Sequence, residues 1–198
     1  MRAATKLIAR RGYTKTTLAE IGREAGYTAG LVSHRFGSKH GLLRRLVEHI
    51  RTRFYHDQIE RALHGRSGLE ALCATVALYL NELRVREDRL RALYVLMGEA
   101  FGPVPEMRPV FGDLDAGFRE VVARWIKAGI ELGEIRRDVD PVVEAALYVG
   151  MLRGVALQWL TTPGAIDLES MRDEIVEMLR ARLARRPRLQ LLKRRANA

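Results

Sequence analysis

Residues 28 to 34, "TAGLVSH", combine hydrogen-bonding side chains with very little bulk. Thr28 and Ser33 carry hydroxyls that donate and accept, and the His34 imidazole has the reach to do the same. Ala29 and Gly30 between them present almost nothing. A segment that enters the major groove of a duplex must bring its backbone close to the base edges, and large side chains there hold it away. Thr28, Ala29, Gly30, Ser33 and His34 are therefore a candidate base-facing set. A second set flanks it: Thr16, Thr17, Ser38 and Lys39. Thr16 and Thr17 open one expected helix, and Ser38 and Lys39 open another. Free N–H groups and the positive helix end attract a phosphate there. The competing reading is an ordinary turn between core helices, with the Thr and Ser residues acting only as caps.

Those residues need a frame. Apolar residues recur with helical period throughout and no long segment alternates with period two, so the expected class is all-α, with about nine helices. The first carries Ala4, Leu7 and Ile8 and ends at Gly12. "TLAE" at 17–20 is a capping box opening the second, which Gly26 breaks. Thr28 caps a very short third, with Val32 and Phe36 facing inward, and Ser38 caps a fourth that runs to about residue 63. Helices two and three have helix-turn-helix spacing, propped by helices one and four. Further helices are striped by Leu69 to Leu80, Leu90 to Phe101 and Phe111 to Trp125. "GPVPEMRP" at 102–109 reads as a loop; Asp140-Pro141 opens helix eight and Asp167 caps helix nine. The expected organisation is a DNA-binding head over 1–45, a larger domain over 46–186 and a basic tail over 187–198.

Charge divides along similar lines. Residues 1–66 hold 14 Lys/Arg against 5 Asp/Glu, residues 67–186 hold 16 against 19, and the last twelve hold 4 against none. A basic head on a mildly acidic body suits a polyanion partner. Double-stranded DNA is the first candidate. The alternative is a helical interaction protein whose head binds another polyanion or a membrane surface, and the tail's "KRR" reads as a solvated terminus. The longest clean apolar run near a glycine, "AALYVGML" at 145–152, stops at Arg153 and is too short to span a membrane. No secretory leader is evident and Cys73 is the single cysteine, so a cytoplasmic location is expected.

Enzyme chemistry finds little to work with. The five histidines, at 34, 40, 49, 56 and 64, include no zinc-helix pair, and neither a phosphate-cradling glycine loop nor a nucleophile elbow occurs. His49, His56 and Asp57 read as a solvated helix face. No catalytic residue, metal or cofactor is expected.

"TTLAEIGREAGYTAGLVSHRFGSKHGLL", residues 16–43, resembles the DNA-binding domain of TetR-type transcriptional regulators. Ala25, Gly26, Gly30, Phe36, Ser38 and Lys39 match the pattern. Ser33 stands where many members carry tyrosine, and Arg35 where many carry an aromatic or histidine. Arg35 is thus the candidate to replace the tyrosine's phosphate contact. "SHRFGSKHGLL" is closer to the choline- and betaine-responsive branch, a likeness that transfers no ligand, and "GEIRRDVDP" with "GMLRGVALQWL" is similar to the region opening helix eight in many members.

The resemblance implies a homodimer, most simply a repressor released from its operator by a small-molecule effector. Ala146, Gly150 and Gly154 form a flat strip on helix eight, which Leu157, Ile175, Met178 and Leu179 can complete as a four-helix seam. Close packing within one subunit is the alternative. Tyr79, Tyr94, Met97, Phe101, Phe118, Trp125 and Tyr148 are candidates for an effector cavity or simply for core; the effector then has substantial apolar surface. Glu99 either faces a cationic effector or points to solvent or to Arg91 or Arg108. Helix four, shared by head and body, is the expected lever between effector and DNA.

Overall fold

The computed structural model describes residues 1–54, 59, 63 and 65–185. The residues beyond Phe54 that the spacing assigns to helix four, with His56, Asp57 and His64, and the tail at 187–198 lie outside the described residues, Ile59 and Leu63 excepted.

Among the described residues the chain is built from nine α-helices: α1 (Arg2–Arg11), α2 (Leu18–Ala25), α3 (Ala29–Phe36), α4 (Lys39–Phe54), α5 (Gly68–Val85), α6 (Glu87–Ala100), α7 (Arg108–Glu131), α8 (Pro141–Thr161) and α9 (Leu168–Leu183). The local rules act where the residue types place them. Thr17 accepts from the Glu20 N–H while the Glu20 carboxylate accepts from the Thr17 N–H, a complete capping box. Gly26 takes φ 74°, a left-handed backbone that turns the chain from α2 into α3. Asp140 accepts from the N–H groups of Val142 and Val143, and Asp167 from that of Ser170.

One boundary moves. The proline-rich stretch 102–109 is loop only at its start: Pro105–Met107 form a 3-10 turn and α7 begins at Arg108. Pro109 sits in the first turn, where its missing N–H has no helical partner to lose.

The head packs around Ile8, Leu42, Leu43 and Leu46, all essentially inaccessible. In the body, α8 lies along α7, and α5 packs on α7 and α9. Ile59 and Leu63 join Ala71 in a small cluster against Trp125. Head meets body chiefly where α1 lies along α6. Among the described residues no helix is long and apolar enough to cross a membrane.

Candidate nucleic-acid interface and effector cavity

α3 is a helix with one buried anchor. Val32 is buried and Phe36 half-buried against the head core, while Ala29, Gly30, Leu31, His34 and Arg35 are exposed. A Cβ added at Gly30 would meet nothing within 4 Å, whereas one at Gly22 would lie 2.9 Å from the Tyr27 carbonyl oxygen. The two glycines therefore serve opposite ends: Gly22 lets the turn close against α2, and Gly30 leaves the outer face bare. Thr28 caps α3 by accepting from the Leu31 N–H at 3.2 Å, which leaves its hydroxyl proton to donate outward.

The flanks are more occupied. The Thr16 hydroxyl is buried and donates to the Gly12 carbonyl at 2.7 Å. Thr17 and Glu20 hold each other, and Arg11 reaches Glu20 at 3.1 Å. Ser38 accepts from the Gly41 N–H, and Arg35 lies exposed beside the Phe36 ring. Lys39 donates to the Thr14 carbonyl at 3.1 Å with its ammonium 4.2 Å from the Tyr13 ring centroid. Burial lowers the Lys39 pKa, with Glu99 and Glu20 pulling it back up.

In the body a cavity opens among α4, α5, α6, α7 and α8. Its apolar wall includes Ile50, Leu90, Leu93, Met97, Leu114 and Phe118. The Tyr79 and Tyr94 hydroxyls, 2.9 Å apart, add a polar seam, and Tyr94 donates to the Arg153 carbonyl at 3.1 Å. Burial raises the pKa of both phenols, so both stay protonated donors. The arginines in the wall are paired: Arg89 with Glu82 at 2.5 Å, Arg51 with Glu48, and Arg153 with Asp115. The space is tight. The centre of a water-sized molecule has about 50 Å³ to occupy, so any larger ligand must push the walls apart.

A third surface runs along α8. Val143, Ala146, Leu147, Gly150 and Leu157 are exposed on one side, with Gly154 half-buried among them and Met178 of α9 exposed as well.

Two family models match the chain: "Bacterial regulatory proteins, tetR family" over residues 1–46 and "BetI-type transcriptional repressor, C-terminal" over residues 68–186. The chain belongs to the TetR family. It is similar to the HTH-type transcriptional repressor KstR2 of Rhodococcus jostii, 26% identical over 192 residues, covering 89% of this chain and 85% of that one. It is also similar to the HTH-type transcriptional regulator TtgR of Pseudomonas putida, 27% identical, covering 90% and 88%. Among solved structures, a transcriptional regulator from Saccharomonospora viridis in complex with choline superposes with a TM-score of 0.80 at 23% identity, covering 93% of this chain and 95% of that one. At that identity the superposition speaks for the fold alone. The family assignment makes this a DNA-binding, ligand-responsive transcriptional repressor. TetR-family regulators bind DNA and small molecules and act as dimers.

In this TetR-family regulator the expected residues do not all fall where spacing put them. Thr28, Ala29, Gly30 and His34 are exposed on α3, but Ser33 is half-buried. Thr16 is no phosphate ligand in this arrangement, because the carbonyl at the end of α1 takes its hydroxyl. Tyr79, Tyr94, Met97 and Phe118 line the cavity. Tyr148 does not; it is buried behind, donating to the Leu72 carbonyl at 2.8 Å and meeting the Phe118 ring edge-on. Trp125 packs against Ile59 and Leu63, and Phe101 is 76% exposed. Glu99 neither faces the cavity nor pairs with Arg91 or Arg108; it accepts from the N–H groups of Tyr13 and Thr14. On α9, Ile175 and Leu179 are core of their own subunit, leaving Met178 on the outside.

Sequence reasoning passed over the exposed Tyr27 and Leu31 beside the lean face, and over Glu82, Arg89 and Arg153 in the cavity wall. Leu31 falls outside the inward Val32–Phe36 spacing, which is the signal that marks it as exposed.

Proposed function

We propose that this regulator is a homodimer that presents two α3 helices to successive major grooves and leaves its operator when a small, largely apolar molecule occupies the cavity. The observation that carries the reading is the bare outer face of α3, where space around Gly30 is open and the only deep anchor is Val32. Thr28, Ala29, Gly30 and His34 are then the base-facing group, with Ser33 at its edge. Arg35, Ser38 and Lys39 lie at its margins, where phosphates would run, and Thr17 joins them once its hydroxyl leaves Glu20.

Dimerisation supplies the second half of the site. The strip Val143–Ala146–Leu147–Gly150–Leu157 with Met178 is an apolar surface with glycine at its centre, which suits close approach of the same helices from a second copy. Two-fold symmetry sets paired recognition helices about 34–36 Å apart.

The cavity favours a mostly uncharged effector. Its arginines are already matched by carboxylates, so recognition falls to the apolar wall and the two phenols. A ligand larger than the free space shifts the dimer toward a wider state, and a difference in affinity between states of about 1–3 kcal/mol is enough to weaken DNA binding.

Selection of duplexes from a random pool by the full chain tests this reading. The expected outcome is enrichment of an inverted repeat with half-site centres about 10 bp apart or a multiple of that. A pool that stays random after several rounds overturns it.

A further inference from the structure

Helix α6 carries two sets of residues that serve different places. Leu90, Leu93, Tyr94 and Met97 face the cavity. Two residues beyond Met97, Glu99 leaves that wall and reaches the connection between α1 and α2, accepting from the Tyr13 N–H at 2.9 Å and the Thr14 N–H at 3.3 Å. A carboxylate in the last turn of a helix is opposed by the helix dipole, and this one stands beside Val95, Leu96 and Gly98. The two amide donors offset that opposition. Space is made for it as well. A Cβ on Gly12 would lie 2.7 Å from Glu99 Oε1, and Gly12 already sits at φ 81°.

The loop gripped by Glu99 is gripped again from the other side. Lys39, the first residue of α4, donates to the Thr14 carbonyl and covers the Tyr13 ring. The Tyr13–Thr14 segment thus offers its N–H groups to the body and its carbonyl and ring to the start of α4. Only Gly37 and Ser38 separate that start from the end of α3.

We propose that Glu99 is the positioning residue that links the cavity wall to the DNA-contacting head, holding the α1–α2 loop and, through it, Lys39 and the α3–α4 junction. This rests on the repressor reading above, and it adds a route to the one expected through helix α4. When a ligand pushes Leu93 and Met97 outward, the last turn of α6 carries Glu99 with it, and the loop must follow or lose its two hydrogen bonds.

A cavity wedge serves as the probe. Leu93→Trp overfills the cavity from α6, and Met97→Phe is the second wedge should the tryptophan variant not fold. Each is made in the wild-type chain and with Glu99→Ala, and is measured against a duplex obtained by selection. In the wild-type background the wedge weakens duplex binding at least about tenfold; with Glu99→Ala the further loss is less than about threefold. Glu99→Gln, which keeps an oxygen acceptor for the amides, restores part of the wedge response. Hydrogen exchange at the Tyr13 and Thr14 amides gives a readout that needs no duplex. Exchange is slow in the wild type, faster with Glu99→Ala, intermediate with Glu99→Gln and faster with the wedge alone. A wedge that weakens binding equally in both backgrounds, or that leaves both amides as protected as before, overturns the role of Glu99. Failure of the wild type to select any duplex overturns the repressor reading instead, and the amide measurement still decides the link.

Discussion

Tyr79 donates its hydroxyl proton to Tyr94. The direction follows from proton count: Tyr94 has one proton, which goes to the Arg153 carbonyl, so the 2.9 Å contact between the two hydroxyls must be donated by Tyr79. The chain Tyr79→Tyr94→Arg153 ties α5, α6 and α8 together across the cavity, and each bond polarises the next. Tyr94→Phe breaks both of these links and removes the acceptor that Tyr79 uses. Urea denaturation should show Tyr94→Phe destabilising by about 1–2 kcal/mol. A Tyr94→Phe variant as stable as the wild type would contradict a hydrogen-bonded seam across the cavity.

Gly30 and Gly22 separate recognition from folding. Gly30→Ala meets open space and trades a flexible residue for a helix former, so it should raise stability by up to about 1 kcal/mol. Gly30→Leu should fold normally while losing roughly tenfold or more in affinity for the selected duplex, since bulk there blocks approach to base edges. Gly22→Ala should instead cost about 1–3 kcal/mol of stability, as its Cβ would meet backbone at 2.9 Å. Thermal unfolding and fluorescence anisotropy on the same samples distinguish the two outcomes.

The α8 strip predicts a charge-sensitive dimer. Leu147 is 52% exposed in the single chain, so Leu147→Glu should leave helix content intact. Burying an unpaired carboxylate costs about 3 kcal/mol or more, which raises the dimer dissociation constant by roughly a hundredfold. Sedimentation velocity at micromolar concentration should show monomer for the variant and dimer for the wild type.

Acid should loosen the start of α2. The backbone and side chain of Thr17 hydrogen-bond to Glu20, with Arg11 adding attraction, and together they hold its pKa below the ordinary 4.5. A depressed carboxylate pKa stabilises the fold fully above 4.5 and loses that effect as pH falls through the lowered folded value. The difference in Tm between wild type and Glu20→Gln should therefore be present at neutral pH and vanish once the carboxylate is protonated. A gap that does not change with pH would remove the charge from the account.

Much of the frame was legible because its signals are local. Thr17 with Glu20, Gly26, Asp140 before Pro141, and Asp167 act within a few residues, so spacing alone finds them. What escaped depends on distant partners. Glu99 meets amides 85 and 86 residues away, and nothing around it in the chain points to them. Thr16 reads as a free hydroxyl until the end of α1 places a carbonyl beside it. Ile175, Met178 and Leu179 share one stripe in the sequence, and only packing against the body separates the two that are core from the one that is not.

The central claim is that a lean helix presses on base edges, and its most direct test is a ratio. Affinities of the wild-type dimer for its selected duplex and for a scrambled duplex of the same composition should differ by roughly a thousandfold or more at physiological salt. Both should weaken as salt rises while the preference persists. Equal affinities for the two duplexes at every salt concentration would contradict the account and leave only a basic surface that holds any polyanion.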